Sequence, residues 1–283
     1  MRTVLRNGST VLATLVLFAT WEIAVKVLRV PDYVLPAPSR VLESLVVHLS
    51  PIASHTAATL EATMMGFSLS VAFGLTLGLL SGLSESFQRA IYPILVAFNT
   101  IPKVAIVPVL VIWFGIGKAP AILTAFLISF FPIFVNVSTA LATTEPELRD
   151  MLLTLGATRT QILLKVGVPR SMPYFFGSLK VASTLAFVGA IISETVASNE
   201  GIGYLMIAAS SRFDVPLVFA GLLVISAVSV VLYAVFVLLE RRVAGWAFSP
   251  PCDRMGFQRT SVHVPLQFLS IIIVRSRSSV QII

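Results

Sequence analysis

Long apolar runs constrain this chain more than any other feature of its sequence. About six stretches of roughly 20 mostly apolar residues follow one another, each long enough to cross a bilayer as a helix. They are Thr10–Leu28, Thr63–Leu83, Ala90–Phe114, Ala119–Leu141, Tyr174–Ala197 and Pro216–Leu239. Because lipid offers no partner for backbone N–H and C=O groups, such runs must form helices. We therefore predict an all-α polytopic membrane protein with about six transmembrane helices.

The overall composition agrees with a membrane protein. Hydrophobic residues make up 57% of the chain and charged residues 12%, against about 25% charged in soluble domains. The single cysteine, Cys252, excludes an intrachain disulfide. The net charge of +7 is scattered between apolar runs, which is typical of membrane topology rather than nucleic-acid binding. We expect membrane lipid, and no nucleic acid, among the partners.

The N-terminal segment and the basic residues predict the topology. Arg2 and Arg6 precede the first apolar run, as in a signal peptide, but the run continues past Trp21 without a nearby cleavage site. We therefore favour an uncleaved first span. Cytoplasmic segments are enriched in Lys and Arg, and with the N-terminus inside these segments would hold Arg89, Arg149, Arg159, Lys165, Arg170, Arg241 and Arg242. Both termini are predicted to be cytoplasmic.

The chain divides into three regions by pattern. Residues 1–62 hold the first span and an outer loop, residues 63–246 the transmembrane core, and residues 247–283 a tail. The third span contains Pro102 and Pro108, so it is either kinked or divided into two short helices. The tail contains an apolar run of residues 264–274, too short to span comfortably, and we assign it no function.

Two spans carry stripes of small residues, which let helix backbones approach closely in lipid. One stripe is Gly66, Ser70, Gly74, Gly78 and Gly82, and the other is Ser178, Ala182, Ala186 and Ala190. Ordinary bundle packing is the favoured interpretation, and a moving helix–helix surface is the alternative.

The polar loop of residues 143–173 has an internal pattern. Residues 144–147 and 158–161 each fit a capping box, which marks a helix start. An apolar stripe lies between them at helical spacing, formed by Leu148, Met151, Leu152 and Leu155. Gly156 suits a helix end, and Pro169 is predicted to stop the second helix. The loop is thus predicted to form two short helices hinged at Gly156. These helices either rest on the membrane or dock into a partner's groove.

This loop resembles the signature loop of ATP-binding-cassette (ABC) importer permeases, written EAA, three residues, Gly, nine residues, Ile-x-Leu-Pro. Gly156 and Pro169 match in spacing, while Asp150-Met151-Leu152 stands in place of EAA. Further segments resemble the sulfonate, taurine and nitrate branch of that family. They are Ile101-Pro102-Lys103, Trp113-Phe114-Gly115-Ile116-Gly117, Ser193-Glu194, Gly201-Ile202-Gly203-Tyr204-Leu205 and Leu239-Glu240-Arg241-Arg242.

The resemblance implies a type I importer permease in the bacterial inner membrane. It implies a homodimeric pore, a separate ABC ATPase subunit that uses ATP, and a periplasmic or lipid-anchored substrate-binding protein. The chain itself would then bind no cofactor and be no enzyme. By analogy, Asp150, Leu155, Gly156, Ala157 and Thr158 would seat the loop in a cleft of the ATPase. The implied substrate is a small solute such as a sulfonate, taurine or nitrate, although similar permeases carry pyrimidine-type vitamin precursors.

Two charged residues inside predicted spans are candidates for the pathway or gate. Lys103 either attracts an anionic substrate or has a structural partner, because a lysine within a membrane is costly unless it faces a cavity or is paired. Glu194 either belongs to a gate or caps local backbone and pairs with Arg212 or Lys118. Lys180 is expected to snorkel to the interface.

Two other classes of protein remain as alternatives. A secondary transporter driven by an ion gradient would explain the spans, Lys103 and Glu194, but not the loop from Gly156 to Pro169. A membrane enzyme would need a convergent polar site, and none is visible in the sequence. The chain also lacks a phosphate-binding loop, and its three histidines lack metal-ligand spacing.

Overall fold

The computed structural model describes residues 2–142 and 146–243, which are helical apart from short connections. The helices are α1 (Arg2–Val27), α2 (Pro38–Val47), α3 (Leu49–Leu83), α4 (Glu85–Thr100), α5 (Lys103–Phe114), α6 (Lys118–Ala142), α7 (Pro146–Thr154), α8 (Arg159–Ile162), α9 (Val168–Ala197), α10 (Ile202–Ser210) and α11 (Val215–Val243). By contacts the chain divides into Met1–Ala247 and Phe248–Ile283. The predicted tail of residues 247–283 lies outside the described residues.

Most of the predicted spans coincide with long apolar helices. Among the described residues, α3, α6, α11 and the run from α8 through α9 could each cross a membrane, and α4 with α5 could form a fifth, bent span. The first predicted span, Thr10–Leu28, overlaps α1, which ends at Val27. The described residues thus hold four or five candidate spans, and α1 is not among them. The prediction of an all-α polytopic membrane protein is therefore confirmed.

The core of the bundle is a three-helix unit of α3, α6 and α9. On α3 the glycine stripe faces α6: a Cβ added at Gly66 would lie 2.6 Å from the Ala125 Cβ, and one at Gly78 would lie 2.7 Å from a Val137 methyl. Ser70 donates across the same interface to the Phe126 carbonyl at 3.0 Å. Because no side chain larger than hydrogen fits at these glycines without a shift, the stripe sets the distance between the two backbones.

The small residues of α9 continue this packing on the other side of α6. Ser178, Ala182, Ala186 and Ala190 are all buried. A Cβ at Gly189 would lie 2.8 Å from the Ala125 Cα, so α9 approaches α6 as closely as α3 does. Both stripes therefore lie at contacts within the bundle, as ordinary helix packing requires.

The third predicted span is broken rather than kinked. Between α4 and α5 the chain turns by 90°. Pro102 stands just before α5 with an extended backbone, because its missing N–H and fixed ring fit a helix start and not a helix interior. Pro93 and Pro108 lie within α4 and α5 without interrupting them. The two helices, 16 and 12 residues long, are each too short to span alone.

Candidate functional site

The helix α7 ends at Gly156 in a Schellman motif. The Ala157 N–H donates to the Leu152 carbonyl at 3.0 Å and the Gly156 N–H to the Leu153 carbonyl at 3.0 Å. This pair of bonds requires a left-handed residue at the position of Gly156, whose φ is +85°. The predicted helix end at Gly156 is thus present in the structure.

The second helix of the loop begins with the predicted capping box. The Thr158 hydroxyl accepts from the Gln161 N–H at 3.3 Å, and the Gln161 side chain accepts from the Thr158 N–H at 2.9 Å. This reciprocal pair satisfies two donors that the start of a helix otherwise leaves free. The other predicted box, at residues 144–147, includes residues outside those described.

The prediction that Pro169 stops the second helix is wrong. A π-helical turn, Leu163–Gly167, joins α8 to α9, and Pro169 lies in the first turn of α9. The Val168 N–H donates to the Leu163 carbonyl, five residues back. Because the wider turn shifts the backbone pairing at this point, a residue without an N–H is accommodated and the chain stays helical from Arg159 to Ala197.

The π-helical turn is also where the loop rests on the bundle. Leu163 is buried, and its methyl lies 3.0 Å from where a Cβ of Gly82 would be. A Cβ at the same glycine would lie 2.6 Å from a Leu141 methyl. The ends of α3 and α6 therefore form a seat for Leu163, and the absence of a side chain at Gly82 makes room for it.

The residues predicted to seat the ATPase lie on an exposed surface. Asp150, Gly156 and Thr158 are exposed and Ala157 is half-buried. Leu155 is 75% exposed, and Met151 of the same apolar stripe is 54% exposed. Pro169 is also exposed but lies beyond the π-helical turn, at the base of α9. The structure thus brings Asp150 to Thr158 together in one unit and sets Pro169 apart.

At the other end of α9, Glu194 is a buried carboxylate that holds the start of α10. It accepts hydrogen bonds from the Thr59 hydroxyl and from the Gly203 N–H, each at 2.9 Å. Thr59 in turn accepts from the Ile202 N–H at 2.8 Å. Gly201 has a φ of +99° and lies so close to the Glu194 carboxyl group that a Cβ there would overlap it.

From the sequence, Glu194 either belongs to a gate or caps local backbone and pairs with Arg212 or Lys118. These contacts bear on the second of these possibilities. Glu194 caps the Gly203 N–H in the first turn of α10, where the helix dipole favours a negative charge. The predicted pairing with Lys118 or Arg212 is wrong among the described residues. Lys118 instead binds Glu61 at 2.7 Å and approaches Glu200 at 3.8 Å. The sequence gives no indication of Thr59 as a partner, since it lies 135 positions from Glu194.

Lys103 lies at the break between α4 and α5. Its ammonium group donates to the backbone carbonyl of Asn99, and to the Asn99 side-chain oxygen at 3.0 Å. The Phe98 carbonyl lies 3.5 Å away. Lys103 thus binds the carbonyl groups that the C-terminus of α4 leaves free, where a cation is also favoured by the helix dipole.

Lys180 is paired and does not snorkel, contrary to the prediction. Its ammonium group lies 2.7 Å from a carboxylate oxygen of Glu240, and the two side chains are 19% and 10% exposed. The pair links α9 to the last turns of α11. Glu240 could not be identified as the partner from the sequence, because 60 positions separate the two residues. An acidic residue close to the end of an apolar span nevertheless signals that a partner exists.

The described residues hold no cluster of three or more His, Cys, Asp or Glu side chains that could bind a metal ion. The geometry presents an exposed loop at one end of the bundle and a capped short helix at the other. This geometry is that of a polytopic helical membrane protein.

The comparisons with known proteins agree with this class. Residues 74–245, more than half of the chain, match the family of the binding-protein-dependent transport system inner membrane component. The chain belongs to this family of ABC transporter permeases, which are multi-pass membrane subunits without enzymatic activity of their own. The predicted family is therefore confirmed.

Curated relatives match over most of their length. The formylaminopyrimidine transport permease ThiX of Halalkalibacterium halodurans is 35% identical, over 82% of this chain and 93% of the relative. The riboflavin transport permease RibX of Chloroflexus aurantiacus is 35% identical, over 83% and 88%. The taurine transport permease TauC of Escherichia coli is 27% identical, over 82% and 86%.

The fold is also that of a solved transporter. Inward-facing structures of the methionine ABC transporter MetNI include a chain that this protein matches with a TM-score of 0.57 and 18% identity. The match covers 67% of this chain and 94% of the other. The type I importer permease fold predicted from sequence is confirmed.

Proposed function

We propose that this permease couples to a separate ATP-hydrolysing subunit through α7 and α8. The observation that carries the proposal is the exposure of Met151, on α7, and of Leu155, just after the last residue of α7, which belong to one apolar stripe. Among the described residues, α7 contacts α8. A short helix with an exposed apolar stripe is the form of anchor that docks into a partner's groove. The Schellman motif at Gly156 gives the helix a defined C-terminal end.

The same loop leads directly into the transmembrane core. The seat formed by Gly82 and Leu141 holds Leu163, and the helix continues into α9. When the ATPase subunits close on ATP, the loop would move with them and shift α9 against α3 and α6. Only a difference in contacts between the two states can transmit energy in this way.

The test is co-expression with the ATPase gene that accompanies the permease, followed by purification through a tag on the permease. We expect the two subunits to elute together and the ATPase rate to rise when the liganded binding protein is added. The control is Leu155→Glu, which should leave the permease folded and the ATPase unbound. Failure of the wild-type chain to retain the ATPase in several detergents and in nanodiscs would overturn the proposal.

The remaining partners and the orientation follow from the proposed role. We infer a homodimer of this chain, a periplasmic or lipid-anchored binding protein, and cytoplasmic termini, so that the loop faces the ATPase. ATP would be used by the partner subunit, with no cofactor held by this chain. The orientation is supported by Arg159, Lys165 and Arg170, which place basic residues on the loop side.

For the substrate we propose a nitrogen heterocycle of the pyrimidine or flavin type. The support is that relatives named for formylaminopyrimidine and riboflavin transport are each 35% identical, whereas the taurine permease is 27% identical. A sulfonate, taurine or nitrate is the second candidate. Thermal-shift screening of the cognate binding protein against all of these compounds separates the two, and stabilisation by taurine or nitrate alone would reject the heterocycle.

Lys103 remains our candidate for a pathway residue, because broken helices in transporters mark substrate sites near the midplane. Glu194 is the candidate for the gate through its hold on α10. An ion-gradient transporter is the alternative mechanism. Uptake in cells that keep their ATP but lose the proton gradient to an uncoupler should continue, and its collapse would favour the alternative.

A further inference from the structure

A cavity of about 310 Å³ lies beside the loop, and Asp150 to Thr158 are not among its lining residues. It is enclosed by the last turn of α3, the first turns of α4, the end of α6, and α8 with the π-helical turn. A volume near 300 Å³ is at the lower end of the range for small-ligand sites. The proposed coupling uses α8 and the seat of Leu163 but assigns no ligand to this cavity, and the functions proposed for Lys103 and Glu194 do not involve it.

The walls of the cavity divide into an apolar and a polar part. The apolar part is formed by Leu83, Leu141, Ile162 and Leu163. The polar part consists of Gln88, Arg89 and Arg159, together with Ser81 and Glu85. Apolar walls with converging polar groups favour an amphiphilic ligand.

The charge of the polar part favours an anion. Arg89 forms an exposed ion pair with Glu85 at 3.2 Å, so these two charges largely compensate each other. Arg159 comes from a different helix and adds a positive charge to the same cavity. Guanidinium groups bind phosphate oxygens in a bidentate geometry.

The position of the cavity points to the lipid surface as the source of that anion. It lies where α3 ends at Leu83 and α6 ends at Ala142, the level at which spans leave the hydrocarbon core. Basic pockets between transmembrane helices on the cytoplasmic side are a known form of headgroup site. The assignment of this side to the cytoplasm depends on the proposed orientation. The existence of the cavity does not depend on that orientation.

We propose that this cavity binds a phosphate-bearing ligand, supplied by the headgroup of an anionic lipid of the adjacent leaflet. The phosphate is bound by Arg159 and Arg89, and the apolar wall contacts the first carbons of the acyl chains. Because α8 forms one side of the cavity, the bound headgroup braces the loop against the ends of α3 and α6. The lipid thereby stabilises the arrangement in which Leu163 occupies its seat.

The test uses the full-length permease in nanodiscs of phosphatidylcholine with a small fraction of phosphatidylglycerol that carries a photoreactive headgroup. Cross-linked peptides are mapped by mass spectrometry. We expect cross-links within residues 81–89 and 159–167. Arg159→Gln should raise the lipid fraction that gives half-maximal cross-linking about fivefold, the effect of one basic side chain near a membrane surface. Arg241→Gln, an exposed arginine at the end of α11 outside the cavity, is the matched control and should change nothing.

A second arm distinguishes the source of the phosphate. Inorganic phosphate and glycerol 3-phosphate are added at millimolar concentration to the same nanodiscs. Unchanged cross-linking supports the lipid, whereas competition that depends on Arg159 overturns the lipid in favour of a soluble phosphate compound. Absence of cross-links in both segments, or an equal effect of both arginine variants, overturns the site. Retention of the ATPase by the same wild-type sample shows whether the coupling proposal stands independently of that result.

Discussion

The ammonium group of Lys180 lies 2.7 Å from a carboxylate oxygen of Glu240, and less than a fifth of either side chain is exposed. This ion pair joins α9, the helix that continues the loop, to α11. Two charges withdrawn from water at this position stabilise each other only as a pair, because each alone would be left without compensation.

Removing one member of the pair should therefore cost more than removing both. We expect Glu240→Gln to destabilise the permease by about 3 kcal/mol, because Lys180 is left charged and unpaired. The double variant Lys180→Met with Glu240→Leu should recover most of this loss. The measurement is the apparent thermal unfolding midpoint in detergent, which changes by about 3 °C per kcal/mol for a chain of this size.

The exposed pair of Arg40 and Glu43 is the matched control, since both side chains are more than half exposed. Glu43→Gln should lower the free energy of unfolding by less than about 1 kcal/mol. Equal losses at the buried and the exposed pair would show that the Lys180–Glu240 pair is not shielded from water.

The attachment of α10 should depend on a glycine facing Glu194. Gly201→Ala is expected to destabilise the permease by more than the roughly 1–3 kcal/mol of backbone strain alone, because the added methyl also overlaps the Glu194 carboxyl group. Limited proteolysis should show earlier cleavage around α10, with the rest of the bundle protected.

Gly177→Ala supplies the comparison within α9. A Cβ at Gly177 meets nothing within 4 Å, and alanine favours a helix by about 1 kcal/mol over glycine. This variant should be as stable as the wild type or slightly more so. Destabilisation of both variants by the same amount would contradict the specific contact of Gly201 with Glu194.

The hinge at Gly156 should tolerate side chains according to backbone conformation rather than size. The space around it is open, since a Cβ there meets nothing within 4 Å, but φ is +85°. Asparagine adopts left-handed conformations more readily than β-branched residues. We expect Gly156→Asn to keep most of the uptake rate, and Gly156→Val and Gly156→Pro to abolish it. If Val and Asn variants transport equally well, the Schellman motif has no role in coupling.

The exposed apolar stripe should matter for association and not for folding. Leu155→Ala removes a side chain that is 75% exposed in the chain alone, so the unfolding midpoint should not move. Burying such a side chain against a partner contributes about 1.5–3 kcal/mol, so affinity for the ATPase should fall at least about tenfold. Leu164→Ala, at an equally apolar residue of the same loop that is 59% exposed, should leave the affinity unchanged.

Features that depend on neighbouring residues could be predicted from the sequence. The helix end at Gly156 and the capping box of Thr158 and Gln161 depend on interactions within a few positions, so the local sequence was sufficient to predict them. The glycine stripe of α3 was visible for the same reason, since its spacing defines a face. The identity of the partner helix, α6, could not be predicted, because its contacting residues include bulky ones such as Val137 and Leu141 as well as Ala125.

Contacts distant in sequence could not be predicted from a single chain. Thr59 and Glu194 are 135 positions apart, and Lys180 and Glu240 are 60 apart. The error at Pro169 has another origin. Proline ends a regular α-helix, but a π-helical turn just before it changes the carbonyl to which each N–H donates. No residue in Leu163–Gly167 indicates this change in the sequence.

That turn has a mechanical consequence. Because the helix is not interrupted at Pro169, one continuous rod of 39 residues runs from Arg159 to Ala197, a length of about 58 Å at 1.5 Å per residue. Its first turn borders the loop, and its last turns carry Glu194 and, through it, α10. A displacement or rotation of the loop is therefore transmitted to the opposite end of the bundle by the movement of one helix, without intervening side-chain contacts.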